Sequence, residues 1–504
     1  MPANVFEHRK GFRMRQIFNL GFSALLLASA ALAPAQDTRV VKEPVIPPAC
    51  TTLVAQLRSG GSDISEPDAD AGGSPATTAE AKYELNAYLA AHDKESPLDT
   101  ARIQNAIDTC GKGRGVLLQA NGTRNAFLTG PLQLRAGVTL IVDKGVTLYG
   151  SRNPAVYETA PGSCGVITRP AHVMDHVDMN GCKPLISVDH ISGAAIMGDG
   201  IIDGRGGERM LGKEISWWQL AELTRPGYGH QVSRLIEADS ADNFTLYRIT
   251  LRNSHNAHVN YNNGDGFTVW GVKIDTPKRN ARNTDGIDPG NGAKNITITH
   301  TYIRAGDDNI AIKGGPGGVN NMTVSHSHFY WGHGMAVGSP TIGGVGHLLV
   351  TDLSLDGMDN AIRIKSNGSR GGLTHDVLFD NVCVRDSNNP IVLDTGYTGG
   401  GDVKGDHPPT MRDVTLHNVR VSGGGKISFN GYSHDYRIGV KLDGVYLTGD
   451  ADYSYTVNHA DLVLGPGVVN LKLPAGTDST MQGTPAAQGT PASCEKMFVP
   501  FPVE

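Results

Sequence analysis

Four short runs between Arg282 and Lys365 carry side chains suited to acid–base chemistry. They read Arg-Asn-Thr-Asp-Gly-Ile-Asp from 282, Ala-Gly-Asp-Asp-Asn-Ile-Ala-Ile-Lys from 305, Trp-Gly-His-Gly from 331 and Ala-Ile-Arg-Ile-Lys from 361. Asp285, Asp307 and Asp308 fit glycosidic-bond hydrolysis, in which one carboxylic acid protonates the leaving oxygen and another carboxylate draws a proton from water. Clustered carboxylates raise one another's proton affinity, so one can stay protonated while its neighbours ionise. His333, between Gly332 and Gly334, is placed to approach a ligand closely and to tune a nearby acid. Arg363 and Lys365 flank Ile364 on one strand and face the same way, a clamp for an anionic group. Taken singly, an Asp after Asn-Thr is commonly a turn residue and an Asp-Asp pair a solvated corner; Asp288 is read as structural. A calcium site is the main rival for three aspartates, because that ion takes oxygen ligands. His333, Arg363 and Lys365 are poor company for a hard cation, so neither a metal nor a cofactor is expected.

The residues between these runs say how they are positioned. An alternating, β-branched pattern, apolar-x-apolar-x-x-apolar-x-apolar, starts at Phe244 and returns at Phe267, Ile296, Met322, Leu348, Val377, Val414 and, more loosely, Val440. Alternation marks strands rather than helices. A recurrence mostly in the twenties is the signature of a solenoid whose turns bury their apolar faces on one another. A second short strand follows in most turns, as in Ile310 to Lys313, Met335 to Gly338, Ile362 to Lys365 and Ile391 to Asp394. Glycine and asparagine at the corners suit positive φ. The expected fold is all-β: a single-stranded parallel β-helix. Equivalent positions on successive turns stack about 4.8 Å apart, so the four motifs form a ladder roughly 15 Å long on one outer face. Asp307 and Asp308 both reach that face only if Gly-Asp-Asp is a corner ahead of the strand, which Gly306 permits.

Length, charge and cysteines bound the rest. A chain of 504 residues would ordinarily suggest three domains, but a solenoid grows along one axis and stays one domain. The net charge of −6 argues against a nucleic-acid partner. Arg9, Lys10, Arg13 and Arg15 precede the apolar run Ile17 to Leu32 and the small residues Ala31 to Ala35, which reads as a secretory signal cleaved after Ala35. The expected organisation is a leader at 1–35, an N-terminal extension at 36–96, a β-helix at 97–475, and a low-complexity linker with a tail at 476–504. Residues 57–80 have a disordered composition. Leu98 to Ile107 reads as a helix started by Asp99 or Thr100, whose Ile103, Ala106 and Ile107 plug the open end of the coil. Trp217 and Trp218 suit a small core under a loop better than a sugar-stacking platform. Six cysteines in an exported chain favour disulfides. Cys164 with Cys182 and Cys50 with Cys110 are candidate pairs, while Cys383 is open between a buried thiol and a bridge to Cys494.

The Asn-Thr-Asp, Gly-Asp-Asp, Gly-His-Gly and Arg-Ile-Lys series, in this order and spacing, resembles the polygalacturonases, glycoside hydrolase family 28. The likeness runs from about Cys50 to Pro474 and takes in the stretches 137–148, 201–207 and 266–277. It is nearest to the bacterial secreted endo-acting members. The resemblance implies a right-handed parallel β-helix that hydrolyses α-1,4-linked galacturonan with inversion. It makes Asp307 the general acid, Asp285 and Asp308 the residues that activate water, and His333 the support of the acid. Arg363 and Lys365 would bind a galacturonate carboxylate, Asn283 would shape the site, and Tyr397 in Asp-Thr-Gly-Tyr would contact substrate. It also implies the pairings Cys50–Cys110 and Cys164–Cys182. The polar insertion between Cys50 and Cys110 is longer than the family's, and the Cys494 tail has no counterpart there. The expected partner is polygalacturonate, met by a secreted monomer with no membrane attachment once the leader is gone.

Three alternatives carry less. An exo-acting member needs loops that close one end of the groove, and the sequence has no large insertion for them. A pectate lyase has a similar fold but needs Ca²⁺ and an arginine base. A β-helical binding or adhesin module leaves three clustered aspartates unexplained.

Overall fold

The computed structural model describes residues 36–60, 91, 93–168, 180–224, 229–399, 403–449 and 451–503. The expected leader at 1–35 lies outside these, as do residues 61–80 of the stretch expected to be disordered. No helix among the described residues is long and apolar enough to cross a membrane.

The apolar repeat becomes a ladder of parallel strands. Phe244 pairs with Phe267, then Ile296, Met322, Leu348, Val377, Val414 and Val440 in one continuous register. All eight are buried, because the strands alternate and every second residue points into the coil. The shorter second strands form their own sheet of 11, from Leu132–Gln133 to Tyr453–Asn458, with neighbours in chain order. Inside it Ile236, Val259, Ile287, Ile310, Met335, Ile362, Ile391 and Ile427 stack as a second buried column. The result is a parallel β-helix with one continuous apolar core. Left-handed backbone is not confined to Gly and Asn: His326, His347 and Asp376 have φ of 47°, 55° and 51°.

The N-terminal helix spans Thr100–Thr109 and buries Ile103, Ala106 and Ile107. Asp99 does not cap it through its side chain. Its own backbone is already helical, so the carboxylate turns away and accepts the Leu128 N–H at 3.0 Å and Arg102 Nε at 2.7 Å. A second helix, Trp217–Leu223, was not foreseen; Ser216 and Gln219 close a capping box at its start. Trp217 is fully buried and stacks on His255 at 4.2 Å, and Trp218 Nε1 donates to Ser254 O. Both rings are core.

Disulfides join Cys50 to Cys110, Cys164 to Cys182 and Cys383 to Cys494. The last resolves the open reading of Cys383 in favour of a bridge. Past the coil, Thr480–Gln482 pairs with Asp461 to Val463 as a further parallel strand.

Ile362→Ala removes one rung of the buried column immediately beneath Arg363. Denaturant unfolding should show a loss of about 2–5 kcal/mol, since a cavity adds to the lost burial.

Candidate active site

Register along the 11-stranded sheet decides which side chains meet. Ile287, Ile310, Met335 and Ile362 lie side by side. Two residues before each stand Asp285, Asp308, His333 and Asn360; one residue after stand Asp288, Ala311, Ala336 and Arg363. Three after are Gly290, Lys313, Gly338 and Lys365. Across the intervening turn, Lys365 Nζ donates to Asp308 Oδ2 at 2.7 Å and Arg363 Nη1 to its Oδ1 at 3.4 Å. Gly338 serves close packing of the turns: a Cβ there would stand 2.0 Å from Lys365 O.

The Gly-Asp-Asp segment is a corner ahead of the strand Ile310–Ile312, as the neighbouring aspartates require. Gly306 is needed there for lack of space: a Cβ would stand 2.2 Å from Ala281 O and 2.6 Å from Thr284 Oγ1. Asp307 meets His333 of the next turn, with Oδ1 to Nδ1 at 2.9 Å, and the His333 backbone N–H donates to Asp307 O at 2.9 Å. Gly332 and Gly334 flank His333 at φ 121° and 75°. Beneath the corner, buried Asn309 donates to the carbonyls of Ile303 and Trp331 and accepts the Gly334 N–H.

Protons are unevenly shared. Burial pushes the Asp285 carboxyl well above its ordinary range, reinforced by Asp288 and opposed by Lys313. Burial likewise raises Asp288 against the pull of Lys313. Lys313 Nζ donates to Asp285 Oδ2 at 2.9 Å and Asp288 Oδ2 at 2.5 Å, so one cation serves two carboxyl groups. Asp288 Oδ1 is buried with no hydrogen-bond partner among the described residues. At Asp307, burial again favours the neutral form, but the His333 hydrogen bond and charge outweigh it and hold the carboxyl below its usual range. His333 is correspondingly raised: burial works against its charge, and Asp307 overcomes that. Burial and partners thus push Asp285, Asp288 and His333 up and Asp307 down.

Arg363 and Lys365 face the same way, as the strand parity demands. Arg363 and Lys365 lie 5.3 and 5.2 Å from the Tyr397 ring, which gathers both cations at one place. Arg363 Nε is buried without a partner among the described residues, a donor left for an anionic group. Asn283 stands at the start of the Asp285 turn in left-handed conformation, φ 60°, and is half-buried. All eight candidate residues thus belong to the corners and strands of one sheet and the loop that follows Asp394.

Four participants escaped the sequence reading. Lys313 ended a strand motif and gave no sign that it would fold back on Asp285. His258 donates from Nδ1 to the Asp285 carbonyl at 2.9 Å and meets Thr276 Oγ1 with Nε2 at 2.8 Å, which fixes its neutral tautomer. Burial pushes it down to about 4, in keeping with that form. Asn309 is the corner staple, and Asp359 Oδ2 lies 3.7 Å from His333 Nε2. None has a distinctive local motif. Asp307, Asp308 and His333 bring one ligand atom each within 4.8 Å of one another, but Lys365 and Arg363 already neutralise Asp308. A cation there would have to displace two resident charges.

Three carboxylates and two cations thus meet along one sheet of a parallel β-helix. The chain belongs to glycosyl hydrolases family 28, whose signature matches residues 127–464. It is 37% identical to the endo-polygalacturonase of Pectobacterium carotovorum subsp. carotovorum over 89% of this chain and 98% of that protein. A polygalacturonase of Ralstonia solanacearum is 33% identical, with 96% of this chain and 98% of that one covered. The solved polygalacturonase from Erwinia carotovora ssp. carotovora superposes with a TM-score of 0.71 at 35% identity, covering 84% of this chain and 99% of the other.

The proton directions give a pH signature. A depressed Asp307 contributes stability above the ordinary carboxyl pKa and loses it as pH falls; a raised His333 contributes below its unfolded value and loses it as pH rises through the folded one. The pair's contribution is therefore complete between about pH 4 and 6.5. Urea unfolding of His333→Ala should show a larger loss of stability at pH 5 than at pH 9; equal losses would mean that the pair carries no proton of its own.

Proposed function

We propose that this protein is a secreted endo-polygalacturonase that hydrolyses internal α-1,4-D-galacturonosyl linkages of de-esterified pectin with inversion. The observation that carries the reading is the meeting of Asp285, Asp307 and Asp308 with the Arg363–Lys365 clamp on one sheet of a family 28 chain. The clamp pairs with a galacturonate carboxylate, which seats one sugar ring and brings its neighbouring glycosidic oxygen to Asp307. Asp307 donates its proton to that oxygen. Asp285 and Asp308 take a proton from water on the opposite face of the ring. Substrate excludes water from the Asp307–His333 pair, and a drier site favours a neutral acid and imidazole over an ion pair. The proton then crosses the 2.9 Å hydrogen bond to Asp307, and His333 acts as its reservoir.

A second assignment, Asp285 as acid and the Asp307–His333 pair as base, draws support from the strong upward push on Asp285. The two differ in a measurable way. Asp307→Asn should abolish turnover of polygalacturonate while binding persists, and it should recover activity on an oligogalacturonide bearing a phenolate leaving group, which needs no acid. Recovery in Asp285→Asn instead would reverse the roles.

Internal attack is supported by the names of the related enzymes and by the surface beyond the clamp. There the sheet continues into a hollow of about 440 Å³ lined by Gly396, Lys404, Asn430, Tyr432 and His459, so the polymer has room to run on. An exo-acting enzyme is the runner-up. On polygalacturonate, viscosity should collapse after few cleavages; slow viscosity loss with early monomer release would favour the exo reading. Arg363→Ala and Lys365→Ala should raise KM more than they lower kcat, and added salt should do the same to the wild type. The disulfides and the 1–35 leader support export to where pectin lies.

A further inference from the structure

The C-terminal tail, without counterpart in the family resemblance, ends against the turn that carries His333. Cys494 anchors it to Cys383, and Phe498 lies 4.3 Å from the Arg385 guanidinium. Val499 O then accepts the Tyr330 hydroxyl at 2.9 Å. Phe501 meets the Tyr330 ring edge-on at 5.3 Å and lies 4.1 Å from the Arg304 guanidinium. That same guanidinium is 4.9 Å from the Trp331 ring, and its Nε is held by Asp275 Oδ1.

Trp331 is linked to Asp285 through two intermediate residues and to His333 along the chain. Its indole N–H donates to Thr276 O at 3.0 Å, Thr276 Oγ1 bonds His258, and His258 holds the Asp285 carbonyl. Its own carbonyl is bound by Asn309, and the next two residues are Gly332 and His333. The backbone of this turn is held by Asn309, by Asp307 O and by the Asp359 N–H. The side of the turn that faces away from the strands is held by what packs against the Trp331 ring. A cation held between aromatic rings, partly screened from water, is one of the stronger such contacts.

We infer that Phe501 and Val499 are positioning residues for the catalytic carboxylates, acting through Arg304, Tyr330 and Trp331. The inference rests on the reading of His333, Asp307 and Asp285 as the catalytic centre. Removing the Phe501 ring frees Arg304, loosens Trp331, and lengthens the Asp307–His333 hydrogen bond, with no contact to substrate lost.

The test compares Phe501→Ala, Phe501→Tyr and Phe498→Ala in the full chain, by kinetics on polygalacturonate, thermal unfolding and NMR titration of His333. Phe501→Ala should lower kcat about tenfold while KM stays within about twofold, the pattern of misplaced catalytic groups rather than lost binding. It should also move the His333 titration down towards the ordinary histidine value. Phe501→Tyr should restore both. Phe498→Ala should lower thermal stability while leaving kcat and His333 as in the wild type. If Phe501→Ala changes stability alone, or if both alanine variants lower kcat alike, the tail is only a strap and the inference is overturned. A wild type inactive on polygalacturonate would instead sink the functional reading; the His333 titration still decides whether Phe501 positions that turn.

Discussion

Every useful contact in this protein depends on one turn of chain stacking in register on the next. Parallel strands hydrogen-bond at about 4.8 Å, and the buried isoleucines at 287, 310 and 362, with Met335 between, lock which residue lies beside which. A slip of one residue would turn each side chain to the other face, sending Arg363 and Lys365 into the apolar core. The same constraint that buries the core therefore fixes the order of charges outside it. Because the period is set by whole turns, groups 22 to 57 residues apart in the chain become neighbours.

Electrostatics then separates chemically identical carboxyl groups. Asp285, Asp307 and Asp308 differ in what they touch: a lysine shared with Asp288, a histidine, and an arginine–lysine pair. Burial pushes Asp285 and Asp307 towards neutrality. At Asp307 the His333 partner outweighs burial and lowers the carboxyl, whereas at Asp285 burial and Asp288 outweigh Lys313 and raise it.

The tail adds a constraint outside the repeat. It is joined by a disulfide to a strand of the other large sheet and reaches the turn that carries His333 through aromatic and guanidinium contacts. The centre is thus held from two directions, by the ladder beneath it and by Trp331 at its flank.

Much of this was present in the order of residues. The recurrence from Phe244 to Val440 specified parallel strands and their register, since alternation and period are local properties that survive any packing. The parity of Arg363 and Lys365 about Ile364 placed both cations on one face, and the Gly-Asp-Asp corner followed from two neighbouring aspartates needing the same surface. What the sequence could not disclose were contacts that skip a turn or come from loops. Lys313 folds back on Asp285 and Asp288, His258 grips a backbone carbonyl, Asp99 bonds Leu128 instead of capping its helix, and Phe501 closes on Arg304. Their partners are chosen by distance in space after the coil has formed, together with the low dielectric it creates. Neither exists until the turns are stacked.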